Sequence, residues 1–284
     1  MNARRIGSVV ACLALSGCSL FEGEGQVTLS VADAPVDGLD SVVVQFNRVT
    51  FVTDDDERES ITFSPPQRVD LLEFTDGEHF ALLADEPLPD GRYRKIEFRL
   101  DASADTTDSY VTEAGSDLQL SLDVPDEFEP QLTVSTDFTV DQDSSVDVTV
   151  DVDLRRSLFQ DDDGTYELRP KLRAVLDDEV GSVGGTVSSG LLDNCSGPAV
   201  YAFSGSSVTP DDVDQAGVEP VNSAIVDTAD GSYAIGFLEA GSYTLAFTCD
   251  ADLDEPDASD DDVDFTRELN VTITADRAST QNIN

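Results

Sequence analysis

The clearest pattern in this chain is a strict alternation of apolar and polar residues from Val146 to Leu154. Five apolar side chains would lie on one face of a strand and four polar side chains on the other. A period of two is typical of a strand in an antiparallel sheet that buries only one of its faces. The pattern therefore predicts a half-buried strand over these residues.

The same alternation, interrupted by turn residues, predicts further short strands along most of the chain. They are expected at 27–31, 41–52, 67–74, 92–100, 166–176, 183–187, 199–203, 224–228, 232–237, 242–248 and 268–273. The one helical candidate is a short turn from Glu78 to Ala84. Many short strands and few helices predict an all-β chain of two antiparallel β-sandwich-like domains in tandem.

The first residues follow a different pattern. Two arginines precede an apolar run from Val9 to Leu15, and small residues then lead into Cys18. A basic start, an apolar middle and a small-residue cleavage site indicate a secretory signal peptide over residues 1–17. Leu15 to Cys18 resembles the lipobox of bacterial lipoproteins, which implies cleavage before Cys18 and a lipid on its sulfur. The alternative is an ordinary signal peptide with a cysteine at its cleavage site.

The expected organisation follows from this start and from an acidic, glycine-containing boundary near residue 180. It comprises a signal peptide (1–17), a lipidated tether (18–25), a first β domain (26–178) and a second (181–284). No later stretch approaches the ~18 apolar residues that span a bilayer. We therefore expect a membrane-anchored lipoprotein. Because Ser19 rather than an aspartate follows the cysteine, we expect the outer membrane in a Gram-negative cell.

The net charge of −43, from 59 acidic and 16 basic residues, narrows the classes of partner. So acidic a surface repels nucleic acid, and we expect none as a partner. Screening by salt reduces the self-repulsion of such a surface, so the composition indicates a halophilic protein. Disorder is excluded for most of the chain, because 39% of the residues are hydrophobic and many alternate with polar ones.

Four cysteines divide into two groups. Cys12 leaves with the signal peptide and Cys18 carries the lipid, so Cys195 and Cys249 remain. An even number of cysteines in an exported protein predicts one disulfide between the two. Two free buried thiols are the alternative.

Catalytic and metal-binding candidates are few. His79 is the single histidine and has no nucleophile motif near it, so neither a catalytic triad nor a zinc site is expected. Calcium can be held by oxygen ligands alone, and Asp161 and Asp163 in an acidic turn are the candidates, against the alternative of a solvated turn. We expect no cofactor and no enzyme activity.

The cations carry more information because they are scarce. Nine of the 14 that follow the signal peptide fall in two stretches, Arg92, Arg94, Lys95, Arg99 and Arg155, Arg156, Arg169, Lys171, Arg173. A strand would place Arg169, Lys171 and Arg173 on one face. They would then form an anion-binding patch for acidic polysaccharide or lipid phosphate. Salt bridges to the surrounding acids are the alternative.

Two resemblances cover most of the chain. Residues 25–176 resemble an uncharacterised bacterial and archaeal lipoprotein domain family whose function is unassigned, through 29–35, 69–72, 88–93 and 164–170. Residues 181–284 resemble a carboxypeptidase regulatory-like, transthyretin-like sandwich, through 230–235 and 238–245. Modules of the second kind space, stabilise or bind, and some bind carbohydrate.

Together these features predict a non-enzymatic, lipid-anchored cell-envelope protein of binding or scaffolding type. Its expected partners are the membrane, through the lipid anchor, and envelope polysaccharide or protein. The alternative is a carbohydrate-binding surface lipoprotein that acts through the C-terminal sandwich. A hydrolase with an unrecognised carboxylate site is a third hypothesis.

Overall fold

The computed structural model describes residues 23–128, 132–161, 164–214, 217–256 and 263–284. These residues form nineteen strands and two helices of four residues each, which confirms the all-β, sandwich-like fold class. The signal peptide, Cys18 and Asp163 lie outside the described residues. Within the described part, no helix is long and apolar enough to cross a bilayer.

The first half of the chain contains β1 to β12. These strands are Glu24–Ala34, Leu39–Thr53, Arg58–Asp70, Phe80–Pro89, Gly91–Leu100, Tyr110–Glu113, Gln119–Asp123, Leu132–Val140, Ser145–Asp153, Leu158–Gln160, Tyr166–Leu168 and Leu172–Leu176. One sheet has the order β12-β9-β1-β4, and the other has the order β10-β11-β7-β6-β2-β5-β8 with β3 beside β2. Their facing apolar side chains, such as Leu29, Phe51 and Ile96, form one continuous core.

The second half contains β13 to β19. These strands are Val180–Thr186, Ala199–Ser204, Asn222–Ile225, Ser232–Glu239, Gly241–Thr248, Phe265–Ile273 and Ala278–Thr280. They form a three-stranded sheet, β16-β13-β19, and a four-stranded sheet, β15-β14-β17-β18. Val183 and Ile235 from the first sheet share a core with Val200, Leu245 and Phe247 from the second.

Three of the strand pairs between described residues are parallel, which departs from the purely antiparallel sheets that we predicted. They are β1 with β9, β7 with β11, and β13 with β19. Alternation fixes which face of a strand is buried but carries no information about the direction of its neighbour. The strand direction therefore had to come from the tertiary structure.

The helical turn predicted from Glu78 to Ala84 is wrong, because β4 begins at Phe80 and occupies most of this segment. Phe80 pairs with Val31 and Leu83 with Leu29 in an antiparallel ladder with β1. The ladder satisfies the backbone groups, and Leu82 and Leu83 are buried at the same time. Tertiary pairing thus overrides a weak local preference for helix.

β9 agrees with the predicted strand in position but not in burial. Its apolar face packs into the core as expected, but Thr149, Asp151 and Asp153 on the polar face are also buried. Asn222 of the second half donates a hydrogen bond to Asp151, so the second half helps to cover this face. The polar side of β9 is therefore part of a junction between the two halves.

Candidate functional site

The junction between the halves has only a very short covalent connection. β12 ends at Leu176, a single turn of 3-10 helix spans Asp177–Glu179, and β13 begins at Val180. A small apolar cluster of Ala32, Val175, Val180 and Phe237 joins the two halves beside this turn. Gly236 packs so closely on the Gly77 backbone that an added Cβ would collide with it.

A one-turn helix, α1 (Leu154–Ser157), positions two arginines at the junction. Asp153 caps it by accepting a hydrogen bond from the Arg156 backbone N–H at 3.2 Å. Successive residues of a helix point about 100° apart, so Arg155 and Arg156 reach different parts of the second half.

Arg155 is the more deeply buried of the two, with 2% of its side chain exposed. Its guanidinium donates to Asp37 Oδ2 at 2.7 Å and to the Ala251 carbonyl at 2.8 Å, and it lies 5.4 Å from the Tyr201 ring centroid. Tyr201 donates to Asp254 Oδ2 at 2.6 Å. Arg155 is thus enclosed between Asp37 of its own half and the Ala251 carbonyl and Tyr201 ring of the second half.

Arg173 makes a second connection across the junction. It donates to Asp151 Oδ2 at 2.6 Å within its own half and to the Phe237 carbonyl at 2.5 Å in the other half. Asn222 donates to the same Asp151 oxygen at 3.2 Å and to the Gly236 carbonyl at 3.3 Å. Charged groups of the first half are therefore partnered by backbone and amide groups of the second half.

Arg156 forms the third connection, through an ion pair with Glu219 at 3.1 Å. Together the three arginines tie the first half to residues near 219, 237 and 251 of the second half. Contacts at three separate places oppose rotation of the two halves as well as their separation.

Three buried carboxylates, those of Asp33, Asp151 and Asp153, lie beside these arginines. Burial, opposed by the charge of Arg156 and reinforced by the nearby Asp151, raises the pKa of Asp153 to about 7. Burial also raises the pKa of Asp33, whose Oδ1 accepts a hydrogen bond from the Leu154 backbone at 3.2 Å. The protonation of Asp153 therefore changes near neutral pH.

A cleft of about 510 Å³ opens at the junction, next to Arg156 and Arg173. We call it the junction cleft. Its lining residues are Thr133, Asp151, Asp153, Arg156, Pro170, Lys171, Leu172, Arg173, Glu219, Pro220 and Val221. Three of the 14 cations that follow the signal peptide meet here, on a chain that is otherwise strongly acidic.

The predicted cation patch is only partly assembled. β11 ends before Arg169 and β12 begins after Lys171, so the three cations do not share one strand face as predicted. Pro170 lies in the gap and has no N–H to donate to a ladder. Arg169 pairs with Glu167 at 2.7 Å and stacks over the Phe159 ring, whereas Lys171 and Arg173 line the junction cleft.

The remaining site candidates, Asp161 and His79, contact other groups of the protein. Asp161 accepts a hydrogen bond from the Thr165 backbone at 2.8 Å, within a turn. Among the described residues, no group of three or more His, Cys, Asp or Glu side chains could hold a metal ion. His79 is exposed, and its ring lies edge-on to Phe237 with 6.0 Å between centroids.

The structure contains the predicted disulfide between Cys195 and Cys249. Gly197 donates to the Cys249 carbonyl at 2.8 Å, and Ala251 donates back to the Gly197 carbonyl at 3.0 Å. The Ala251 carbonyl is an acceptor for Arg155. The disulfide therefore lies next to a segment that the junction uses.

The junction partners on the second half were not predicted from the sequence. The available signal was the pair Arg155-Arg156, which directly follows an aspartate-containing strand in a chain with few cations. Such a placement indicates paired charges but does not identify their distant partners. Asp254, Asn222 and the Phe237 carbonyl are supplied by the fold.

Comparison with solved structures gives matches of very low overall similarity. The TIE protein of Bacillus anthracis matches at 10% identity, covering 92% of this chain and 33% of that one, with a TM-score of 0.22. The chain therefore spans about a third of the length of that protein.

Two pilins match at a similar level. The minor pilin GBS52 of Streptococcus agalactiae matches at 13% identity, covering 90% and 94% of the two chains, with a TM-score of 0.22. The shaft pilin spaA of Lactobacillus rhamnosus GG matches at 11%, covering 92% and 98%, with a TM-score of 0.21. At these TM-scores the matches carry no argument about function.

Comparison by sequence gives a firmer result for the first half. No curated protein matches the chain. A family described as "Domain of unknown function (DUF4382)" matches residues 24–170, which is more than half of the chain and includes β1 to β11 and α1. The chain therefore belongs to the DUF4382 family.

Proposed function

We propose that this protein is a lipid-anchored component of the cell envelope that binds or scaffolds other envelope components and catalyses no reaction. Cys18 is the proposed attachment point, and residues 18–25 are the tether. Residues 26–178 and 181–284 are the two proposed domains, the second a carboxypeptidase regulatory-like sandwich. In a Gram-negative cell the proposed location is the outer membrane.

The observation that carries this proposal is the junction, where a short connection and several contacts join the two halves. Only three residues separate β12 from β13, and arginines of the first half contact the second half at three separate places. Domain motion is the default across a small or polar interface, and here the three-residue connection and the arginine contacts oppose it. A body that holds one orientation fixes the distance between the membrane and its far end, which suits a spacer or scaffold.

The chemistry of the junction supports a structural role for its carboxylates rather than a catalytic one. Asp151 accepts from Arg173 and Asn222, and Asp153 caps α1. A general acid or base must exchange a proton with a substrate, whereas each of these carboxylates has an oxygen engaged by a protein donor. Their charges are used to orient arginines.

The anchoring part of the proposal is tested with Cys18→Ser. We expect this variant to lose the lipid and to leave the membrane fraction, because no other attachment is proposed. The measurement is fractionation of the envelope combined with intact-mass analysis, and Cys12→Ser is the matched control that keeps its lipid. A Cys18→Ser protein that stays in the membrane fraction with an unchanged mass would contradict the anchor.

The scaffolding part is tested by crosslinking in the native envelope, followed by affinity capture. We expect defined envelope partners that are captured with the anchored protein and are lost with Cys18→Ser. Turnover by the purified protein of any glycoside or ester in a broad activity screen would overturn the non-enzymatic assignment.

A further inference from the structure

Lys171 differs from the other cations of the junction cleft in having no ionic partner. Arg156 pairs with Glu219 and Arg173 with Asp151, whereas the Lys171 ammonium makes no ion pair with a described residue. The chain has 59 acidic residues, yet none of those described lies within ion-pair distance of this lysine. A cation left without a partner among so many acids is the feature that needs an explanation.

The backbone of Lys171 is held on both sides. Its N–H donates to Ser157 Oγ at 2.8 Å, and its carbonyl accepts from the Asp153 N–H at 3.2 Å. The side chain is partly buried and lines the junction cleft, whose volume of about 510 Å³ falls in the range of small-molecule sites. The ammonium is therefore placed at the cleft by a fixed backbone.

The remaining lining defines the chemistry of a ligand. Pro170, Leu172, Pro220 and Val221 supply apolar walls, and Thr133 supplies a hydroxyl. Arg156 and Arg173 are paired with carboxylates of the cleft, whereas Lys171 makes no ion pair with a described residue, so a bound monoanion has one cation available to it. A dianion such as phosphate would carry a second charge with no partner, next to the carboxylates of the cleft.

We propose that the junction cleft binds a small organic monocarboxylate, with its carboxylate on the Lys171 ammonium and its apolar body against the proline and aliphatic walls. This site goes beyond the scaffolding function, because it needs neither the lipid anchor nor an envelope partner. Both halves supply its walls, so binding would add to the contacts between them.

The chain offers a sharp test, because Lys95 and Lys171 are its only lysines. Reductive methylation with a 13C label gives one NMR signal for each lysine. Lys95 is exposed on β5 and is the internal control. The probes are benzoate, glucuronate and inorganic phosphate, titrated at constant ionic strength against the detergent-purified protein.

We expect benzoate or glucuronate to shift the Lys171 signal along a saturating curve while the Lys95 signal stays within the salt response. Phosphate should shift both signals weakly and without saturation. Equal, non-saturating responses of both lysines to every probe would overturn the proposal. Saturation by phosphate but by neither carboxylate would overturn the choice of a monocarboxylate.

The matched variants are Lys171→Gln and Lys95→Gln. Measured by calorimetry on the unlabelled protein, carboxylate binding should fall at least tenfold in the first variant and stay unchanged in the second. Equal affinities in the two variants would contradict the site. The NMR measurement on the unsubstituted chain keeps the proposal testable if Lys171→Gln does not fold, and neither experiment depends on the anchor.

Discussion

At the scale of single residues, the junction depends on carboxylates that the fold keeps away from water. Asp153 shows this most clearly, because its side chain caps α1 and lies beside the guanidinium of Arg156. Burial raises its pKa to about 7, well above the value of 3.8 expected in the unfolded chain. The folded state therefore binds a proton more tightly at this position than the unfolded state does.

This shift predicts a pH dependence of stability. A carboxyl group whose folded pKa is raised stabilises the fold fully below pH 4, and that contribution is lost as the pH rises through about 7. We expect Asp153 to lower the free energy of unfolding by at most about 1.4 kcal/mol per pH unit over this window. Chemical denaturation between pH 4 and pH 8 measures the slope.

Asp153→Asn is the matched variant, because the amide oxygen can still cap α1. We expect it to flatten the slope between pH 4 and pH 7, whereas Asp161→Asn, on an exposed turn, should keep it. A slope that is the same in Asp153→Asn and in the unsubstituted protein would show that this carboxyl does not titrate as described.

At the scale of elements, the disulfide supports the segment that follows β17. Cys249 is the residue after this strand, and two residues later the Ala251 carbonyl accepts from Arg155. Cys195 lies 54 residues earlier in the sequence, so the bond closes a long loop. It therefore acts both on the second half and on its contact with the first half.

Removing the disulfide with Cys195→Ala and Cys249→Ala should lower the free energy of unfolding by about 4 kcal/mol, the chain-entropy value for a loop of this size. Because the junction uses the adjacent segment, amide exchange should also become faster at Gly197 and Ala251. Exchange measured by mass spectrometry, with β5 as an internal reference, checks this. Unchanged exchange at both amides would contradict the proposed effect of the disulfide on the junction.

Elements differ in how far they could be predicted from the sequence. The position of β9 could be predicted, because alternation fixes the period of a strand and its apolar face. The burial of its polar face could not be predicted, because Asn222 and other groups that cover this face lie far from β9 in the sequence. The segment from Glu78 was mistaken for a helical turn, because its pairing with β1 is not local.

The candidate site, too, could be predicted from the sequence only in part. The cysteine pair could be predicted by elimination, and the clustering of cations by their scarcity in the sequence. In the second half, Arg155 and Arg173 each donate to a backbone carbonyl, and such an acceptor leaves no sequence pattern. The sequence places Lys171 in a cluster of cations, but its separation from Arg169 results from the break at Pro170.

At the scale of the whole molecule, the net charge of −43 acts against compactness. Salt at about 1 M reduces the screening length to ~3 Å, which removes most of the repulsion between exposed acids. The buried ion pairs of the junction are screened much less. Salt should therefore stabilise the molecule without much weakening of the ion pairs between its halves.

We expect the thermal midpoint to rise between dilute buffer and molar sodium chloride. Differential scanning fluorimetry over a series of salt concentrations measures this, and the same series in sucrose controls for exclusion of the additive from the surface. A midpoint that stays constant or falls with salt would contradict the halophilic interpretation.

The central claim is that the junction makes the two halves one cooperative body, and scanning calorimetry of the mature protein in molar salt tests it most directly. We predict a single transition with equal van't Hoff and calorimetric enthalpies, which is the criterion for a two-state unit. Arg173→Met, which leaves Asp151 buried without its cation, should split this transition into two, whereas Arg92→Met, in an exposed pair, should not. Two independent transitions in the unsubstituted protein, unaffected by Arg173→Met, would contradict the account.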